Sequence, residues 1–312
     1  MSLANLKILI TIPHYYKYDP QSKYGSGTEK KEARLRALEA ELRAIRFLFT
    51  KPHEYTNAYL QPDGKQKFCC NSCDGDMHYD IDICLCTTGE NHLAKEINLP
   101  GIRYTHVDCS VEDPMYLGFA CHKVLRSHWG EYDYYCYMED DLVIHDAYFF
   151  QKLQWFEKLF GSECLLQPYR YMSYRDMFVK SYVDYEWGGT REAYLSRGRL
   201  EADYLGRKIQ FLSDVNWHSG CFFLSSAQYE RMLSREECGK PNAKLIGPLE
   251  SAASYDIGET FRVYKPDWPQ ACFFEIEHAG NMKVPVGETV VNLTGFREAG
   301  YKIGQMPQLF PD

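Results

Sequence analysis

Leu6 to Ile12 reads LKILITI, a near-continuous apolar run with β-branched residues at alternate places, and it stops at Pro13. Such a run must be covered on both sides, which is the situation of an inner strand in a sheet flanked by helices. The next segment supplies a cover. GSGTEKKEARLRALEAELRAIRFLF starts with Ser26 and Glu29 at capping-box spacing, and Leu35, Leu38, Leu42, Ile45 and Phe49 then recur at steps of three and four. Glu32 with Arg36 and Glu39 with Arg43 are i,i+4 pairs, which assigns the charges of this helix to its wet side.

The alternation repeats. Ile81 to Thr88 and Gly101 to Asp108 read as strands, and Asp113 to Trp129 as a helix opened by Asp-Pro, with Met115, Leu117, Ala120, Val124 and Leu125 on its apolar stripe. This helix leads into a further strand, Tyr132 to Ile144. Strands alternating with helices imply βαβ crossovers, hence an α/β chain with a mainly parallel, Rossmann-like sheet between helices. Pro168 to Trp217 is rich in Tyr, Arg and Gly and weakly periodic, which predicts a loop-rich insert around a site. No repeat or low-complexity linker divides the chain. The expectation is one domain, 1–312, with a first half (1–145) and a second half (146–312) of different duties.

At 312 residues with 45% hydrophobic content, the chain has ample material for a core. A net charge of −8 argues against a nucleic-acid backbone as main partner. A small anionic ligand remains compatible, because a divalent cation can bridge acid to phosphate. Tyr, at 25 residues, suits half-wet clefts. The N-terminal residues lack the apolar segment of a signal peptide, and no later run has the length of a membrane span. The twelve cysteines therefore read as reduced thiols and the expected compartment is the cytoplasm. The sequon at Asn292 carries little weight without a secretory signal.

YDYYCYMEDDLVI, Tyr132 to Ile144, is the most telling stretch. Charge is costly at the rim of a packed sheet unless something positive sits there. With the chain extended past Met138, Glu139 and Asp141 point one way and Asp140 the other. Two carboxylates facing together beyond a strand's carboxyl end suit a hard cation, in the crevice where open α/β sheets bind ligands. A solvated turn with a capping Asp is the alternative. Cys69, Cys70 and Cys73 with His78 offer a C-x-x-C spacing that suits zinc or simply reduced loop thiols. YGSGTEKK is Gly-rich before a helix but lacks a phosphate-loop register. Neither H-E-x-x-H nor G-x-S-x-G occurs.

YDYYCYMEDDLVI, preceded by its helix, resembles the acidic strand end of nucleotide-sugar-dependent glycosyltransferases of the GT-A fold. NWHSGCFFLS (Asn216 to Ser225), GPLESAASYDIG (Gly247 to Gly258) and FFEIEHAGN (Phe273 to Asn281) resemble, in order, three later segments of that superfamily. The resemblance implies Mn²⁺ or Mg²⁺ held by Asp141 and His278, with Glu139 a further ligand or the ribose-side or outer-shell acid, and Asp140 assisting. Imidazole among the ligands favours Mn²⁺. It further implies Gly220 in a loop facing donor and acceptor, and Glu250 as the base with Asp256 second. Many inverting members carry an acidic pair with Asp as base, whereas LES here offers Glu250 alone. Pro13, His14 and Tyr15 are expected near base and ribose, because the loop after the first strand opens onto the same crevice. Trp187, Trp217 and His218 are candidates for the sugar-binding wall. The expected activity is metal-dependent transfer of a sugar from a nucleotide-diphosphate donor, UDP-linked by preference, to a carbohydrate or glycoconjugate hydroxyl, with inversion. The alternatives are a nucleotidyltransferase of related topology, disfavoured by the absence of a Gly- and Arg-rich loop after the first strand, and a non-catalytic sugar- or nucleotide-binding protein.

Overall fold

Strand β1 (Lys7–Pro13) has two neighbours, β4 (Asp80–Thr87) and β6 (Tyr134–Met138), both parallel to it. The computed structural model describes residues 6–19, 31–50, 54–72, 79–174, 179–184 and 195–279. In it, β5 (Thr105–Asp108) extends the sheet beyond β4, and β13 (Cys221–Ser225) closes the other edge antiparallel to β6, giving the order β13-β6-β1-β4-β5. One central sheet thus takes strands from both sides of residue 145.

Residues of β1 alternate between two cores, as the pleat requires. Ile8, Ile10 and Ile12 face Leu38, Leu42, Ile45 and Phe49 of α1 (Lys31–Phe49) and Phe149, Phe150, Leu153 and Phe156 of α3 (Phe149–Phe160). Leu9 faces the other side, where Cys121 and Leu125 of α2 (Leu117–Ser127) pack with Tyr135, Tyr137, Phe222 and Leu224. Each apolar side chain so buried contributes about 1.5–3 kcal/mol, which is why the run reads as apolar on both faces. The Asp-Pro signal opens α2 through a single 3₁₀ turn, Pro114–Tyr116, where Asp113 accepts from the Met115 N–H at 3.0 Å. α4 (Ser226–Leu233) begins with a full capping box between Ser225 and Gln228. The residues proposed to cap α1, Ser26 and Glu29, lie outside the described residues.

The structure departs from the sequence pattern in two places. Pro168 to Trp217 is not loop-dominated where it is described. It contains β9 (Tyr169–Tyr174), β10 (Val179–Tyr182), β11 (Arg199–Tyr204) and β12 (Arg207–Leu212). Along β11, exposed residues alternate with half-buried ones, so the apolar side of the pattern is weak in sequence. These strands join two smaller sheets. One has the order β10-β9-β15-β7, with β7 (Leu142–Val143) and β15 (Glu275–His278); the other is β11-β12-β14-β8, with β8 (Cys164–Leu166) and β14 (Arg262–Pro266). The second departure is at Tyr132 to Ile144, where the chain does not stay extended. It turns at Asp140 and Asp141, with the Leu142 N–H on the Glu139 carbonyl at 3.2 Å, before β7 begins.

A hairpin of β2 (Glu54–Leu60) and β3 (Gln66–Ser72) stands apart as its own two-stranded sheet. Cys69 and Cys70 fall on β3, whereas Cys73 and His78 lie outside the described residues, and the zinc reading with them. No described helix is long and apolar enough to cross a membrane.

Candidate functional site

A cavity of about 360 Å³ opens where the parallel strands end. Pro13 at the end of β1 and Tyr15 just after it, Glu139 to Asp141 after β6, and Pro114 before α2 line it on one side. His218, Arg170, Asp184, His278 and the first turn of α5 (Pro248–Thr260), with Leu249 and Glu250, close its other wall. This is the crevice that open α/β sheets offer to ligands.

The turn after β6 distributes its three acids. Asp140 goes inward and downward to His14, whose ring is fully buried. The Leu93 N–H donates to His14 Nε2 at 3.0 Å, which leaves Nδ1–H to donate to Asp140 Oδ2. His14 is thus an anchor beneath the acids and does not line the cavity; Pro13 and Tyr15 do. Glu139 and Asp141 turn instead toward His278 on β15, and one ligating atom from each of the three lies within 4.8 Å of the others. His278 Nε2 stands 3.7 Å from Asp141 Oδ1. β15 is brought there by pairing with β7, where His278 is opposite Leu142, so the turn and the histidine are set by one short ladder.

Donor chemistry fits a divalent cation. Asp141 Oδ1 and His278 Nδ1 are buried and make no hydrogen bond, so the Asp141 oxygen facing the histidine has no hydrogen-bond partner among the described residues. Two ligand atoms 3.7 Å apart can share a cation at the usual bond lengths of about 2.0–2.2 Å. Burial pushes the Asp141 carboxyl up, but His278 in its protonated form and the Arg34 guanidinium pull it below its ordinary value. Burial pushes the His278 ring below its ordinary value against the pull of Asp141, so it carries a lone pair at neutral pH. Glu139 is raised to about 7 by burial, with Arg170 opposing and Asp141, Glu250 and Asp140 adding to the rise. A cation would add positive charge to what Arg170 alone provides to this carboxylate.

Two arginines flank the trio. Arg34, near the start of α1, pairs through one NH₂ with Asp140 Oδ1 and through the other with Asp141 Oδ2 at 2.6 Å. Arg170 on β9 reaches Glu139 Oε2 at 3.4 Å and is itself held by Asp184 through Nε at 2.9 Å. Asp184 also accepts from the fully buried Lys265 at 3.0 Å. The sequence reading named neither arginine. Arg34 fell among charges assigned to the wet side of α1, although it sits four residues before Leu38 on the apolar stripe.

The other expected residues divide. Glu250 lines the cavity from the first turn of α5. Asp256, on the same helix, does not: it is buried against Arg235 at 2.9 Å and takes the Gly239 N–H at 2.7 Å, a structural ion pair away from the cavity. His218 lines the cavity and bonds Ser254 Oγ through Nδ1 at 2.8 Å, and burial pushes its ring well below the ordinary value. Trp217 lies outside the cavity lining, with its indole against Gly258 of α5. Gly220 is a mould for Glu139: its φ is +63°, its carbonyl accepts the Glu139 N–H at 2.9 Å, and a Cβ there would strike the Glu139 carboxylate. Trp187 lies outside the described residues.

No protein-family model matches the chain, and no curated protein matches it either. The site's chemistry therefore rests on its own geometry.

Proposed function

We propose that the protein is a metal-dependent glycosyltransferase of GT-A type, moving a sugar from a nucleotide-diphosphate donor to a hydroxyl acceptor. The observation that supports this best is the meeting of Glu139 and Asp141, from the turn after β6, with His278 of β15 in the lining of a cavity that Glu250 also lines. A bound Mn²⁺ or Mg²⁺ supplies charge to stabilise the departing diphosphate. The chain's own residues account for the rest of the reaction. Asp141 and His278 offer ligand atoms to the cation, and Glu139 supplies the third. Tyr15 and Pro13 line the cavity and are the proposed neighbours of the donor's nucleoside end. Glu250, at a helix start and open to the cavity, is the proposed acceptor of the hydroxyl proton, which must leave as an alcohol of very high pKa attacks. His218, neutral and tied to Ser254, presents its remaining ring nitrogen as a hydrogen-bonding group for sugar hydroxyls.

UDP is the nucleotide we favour, and carbohydrate the acceptor class. A reducing compartment suits a chain whose Cys86, Cys121 and Cys221 are buried free thiols, which leaves the cytoplasm as the proposed location.

Calorimetric titration of UDP, GDP and CMP, with and without Mn²⁺, tests the reading on wild type and Asp141→Ala. The expected result is diphosphate binding that requires Mn²⁺ and disappears in the variant. A folded wild-type protein that binds none of the three, with or without the cation, sinks the proposal.

A further inference from the structure

Each carboxylate of the candidate cation site has one oxygen already taken by an arginine. Asp141 gives Oδ2 to Arg34 at 2.6 Å and keeps Oδ1 unpartnered and buried toward His278. Glu139 gives Oε2 to Arg170 at 3.4 Å. The pairing of Arg34 is not an isolated contact. A continuous chain runs from the Leu93 N–H to His14, from His14 to Asp140 Oδ2, from Asp140 Oδ1 to Arg34, and from Arg34 to Asp141 Oδ2. His14 has no exposed surface and Asp140 almost none, so Arg34 is held from below by a rigid, dry support. Its planar fork fits both carboxylates at once, a task that a lysine point charge does not perform.

Resting on the metal-dependent reading above, we infer that Arg34 is a positioning residue that sets which cation the site accepts. By holding Asp141 Oδ2, it restricts this carboxylate to one oxygen toward the cation. Calcium takes six to eight oxygen ligands and draws readily on both oxygens of a carboxylate, whereas Mg²⁺ and Mn²⁺ are satisfied by six with short, single-oxygen contacts. A site built from two one-oxygen carboxylates and an imidazole nitrogen therefore favours Mn²⁺ and disfavours Ca²⁺. Release of Asp141 Oδ2 turns the same site toward Ca²⁺. Arg34 does this through Asp141 and needs no contact with the donor.

The test is titration of the whole chain with MnCl₂ and with CaCl₂, in the absence of nucleotide, for wild type, Arg34→Gln and Arg34→Lys. Wild type is expected to prefer Mn²⁺. Arg34→Gln is expected to lower the Mn²⁺-to-Ca²⁺ affinity ratio by about tenfold, the scale on which groups behind metal ligands act. Arg34→Lys, which restores charge without the fork, is expected to recover less than half of that change on a logarithmic scale. Loss of local packing alone would weaken both cations together and leave the ratio where it was. An unchanged ratio in a folded Arg34→Gln, or in Arg34→Lys where the glutamine variant does not fold, overturns the role of Arg34 and leaves the metal reading standing. Wild type that binds neither cation, alone or with UDP, removes the metal centre itself and this inference with it.

Discussion

Glu41 is a carboxyl with nothing to hold it. It is fully buried on α1, between Leu38 and Ile45 on the stripe that faces the sheet, and neither oxygen finds a partner among the described residues. Burial, then the neighbouring Asp140 and Asp141, pushes its proton affinity far above the ordinary carboxylate value, with Arg34 opposing. The folded chain therefore keeps a proton that the unfolded chain gives up at about pH 4.3. Stability must then fall as pH rises past that point, because holding the proton becomes steadily more costly. Glu41→Gln keeps the shape without the proton. It is expected to equal wild type near pH 4 and to exceed it at pH 7.5, read from urea unfolding at both pH values. An equal difference at the two pH values would show that titration is not the cause. Both Glu41 and Arg34 were within reach of the sequence: positions 34, 38, 41, 42 and 45 keep the three-and-four spacing of one helix face. Their charge makes them look like wet-side residues, where only pairs such as Glu32 and Arg36 belong, exposed and 3.7 Å apart. The acids at 139 and 141 were legible as a converging pair, but for a reason the chain does not use, since they meet through a turn and not along an extended strand.

Among elements, the junction of β6 and β13 carries the finest tolerance. Gly220 precedes β13, has φ +63°, and lies where a methyl group would meet the Glu139 carboxylate. Gly206, in the tight turn between β11 and β12, shares a positive φ of +78° but has open space around it. The two separate backbone strain from steric intrusion. Gly206→Ala is expected to cost about 1 kcal/mol from the left-handed backbone alone and to leave Mn²⁺ binding unchanged. Gly220→Ala adds displacement of Glu139, is expected to cost about 2–4 kcal/mol, and should weaken Mn²⁺ binding by tenfold or more. Denaturant midpoints and metal titrations on both variants decide this, and equal metal affinity in the two would mean that Glu139 is not a ligand. The inner strands of the first half were readable because burial on both faces leaves an uninterrupted apolar signature, and its helices because one apolar stripe recurs at steps of three and four. β11 and β12 were not. Their shared turn is formed by Leu205 and Gly206, both at positive φ, a two-residue hairpin turn that in sequence looks like any LG pair. β10 and β15 are four residues each and β7 is two, too short for a period to show.

At the scale of the molecule, the central sheet and the two four-stranded sheets must be fixed to one another, and a single carboxylate does much of this. Asp184 follows β10, binds Arg170 of β9 through the backbone N–H at 3.0 Å and through Nε at 2.9 Å, and binds Lys265 of β14 at 3.0 Å. It thereby joins the two smaller sheets, and Arg170 carries the link on to Glu139 at the end of the central sheet. Lys265 and the Asp184 side chain have no exposed surface, so removing one partner strands a buried charge. Burial alone would raise the Asp184 carboxyl, but Lys265 and Arg170 outweigh it and hold it at about 2. This folded value lies below the unfolded one, near pH 4, so the stabilisation is complete above pH 4 and is lost as pH falls toward 2. Its size from the shift is roughly 2–3 kcal/mol. Asp184→Asn is expected to cost about 3–5 kcal/mol at pH 7, more than the shift alone, because both cations then lose their shared counter-charge. Between pH 4 and pH 2 the variant should lose stability more slowly than wild type, so the gap between them narrows as the wild-type carboxylate takes up its proton. Guanidinium unfolding at pH 7, 4 and 2.5 measures it. A gap that stays constant across the three would assign the link between the sheets to packing and not to charge. A narrowing gap would show that the wall of the cavity carrying Arg170 and His218 is held to the wall carrying the acids by this ion network.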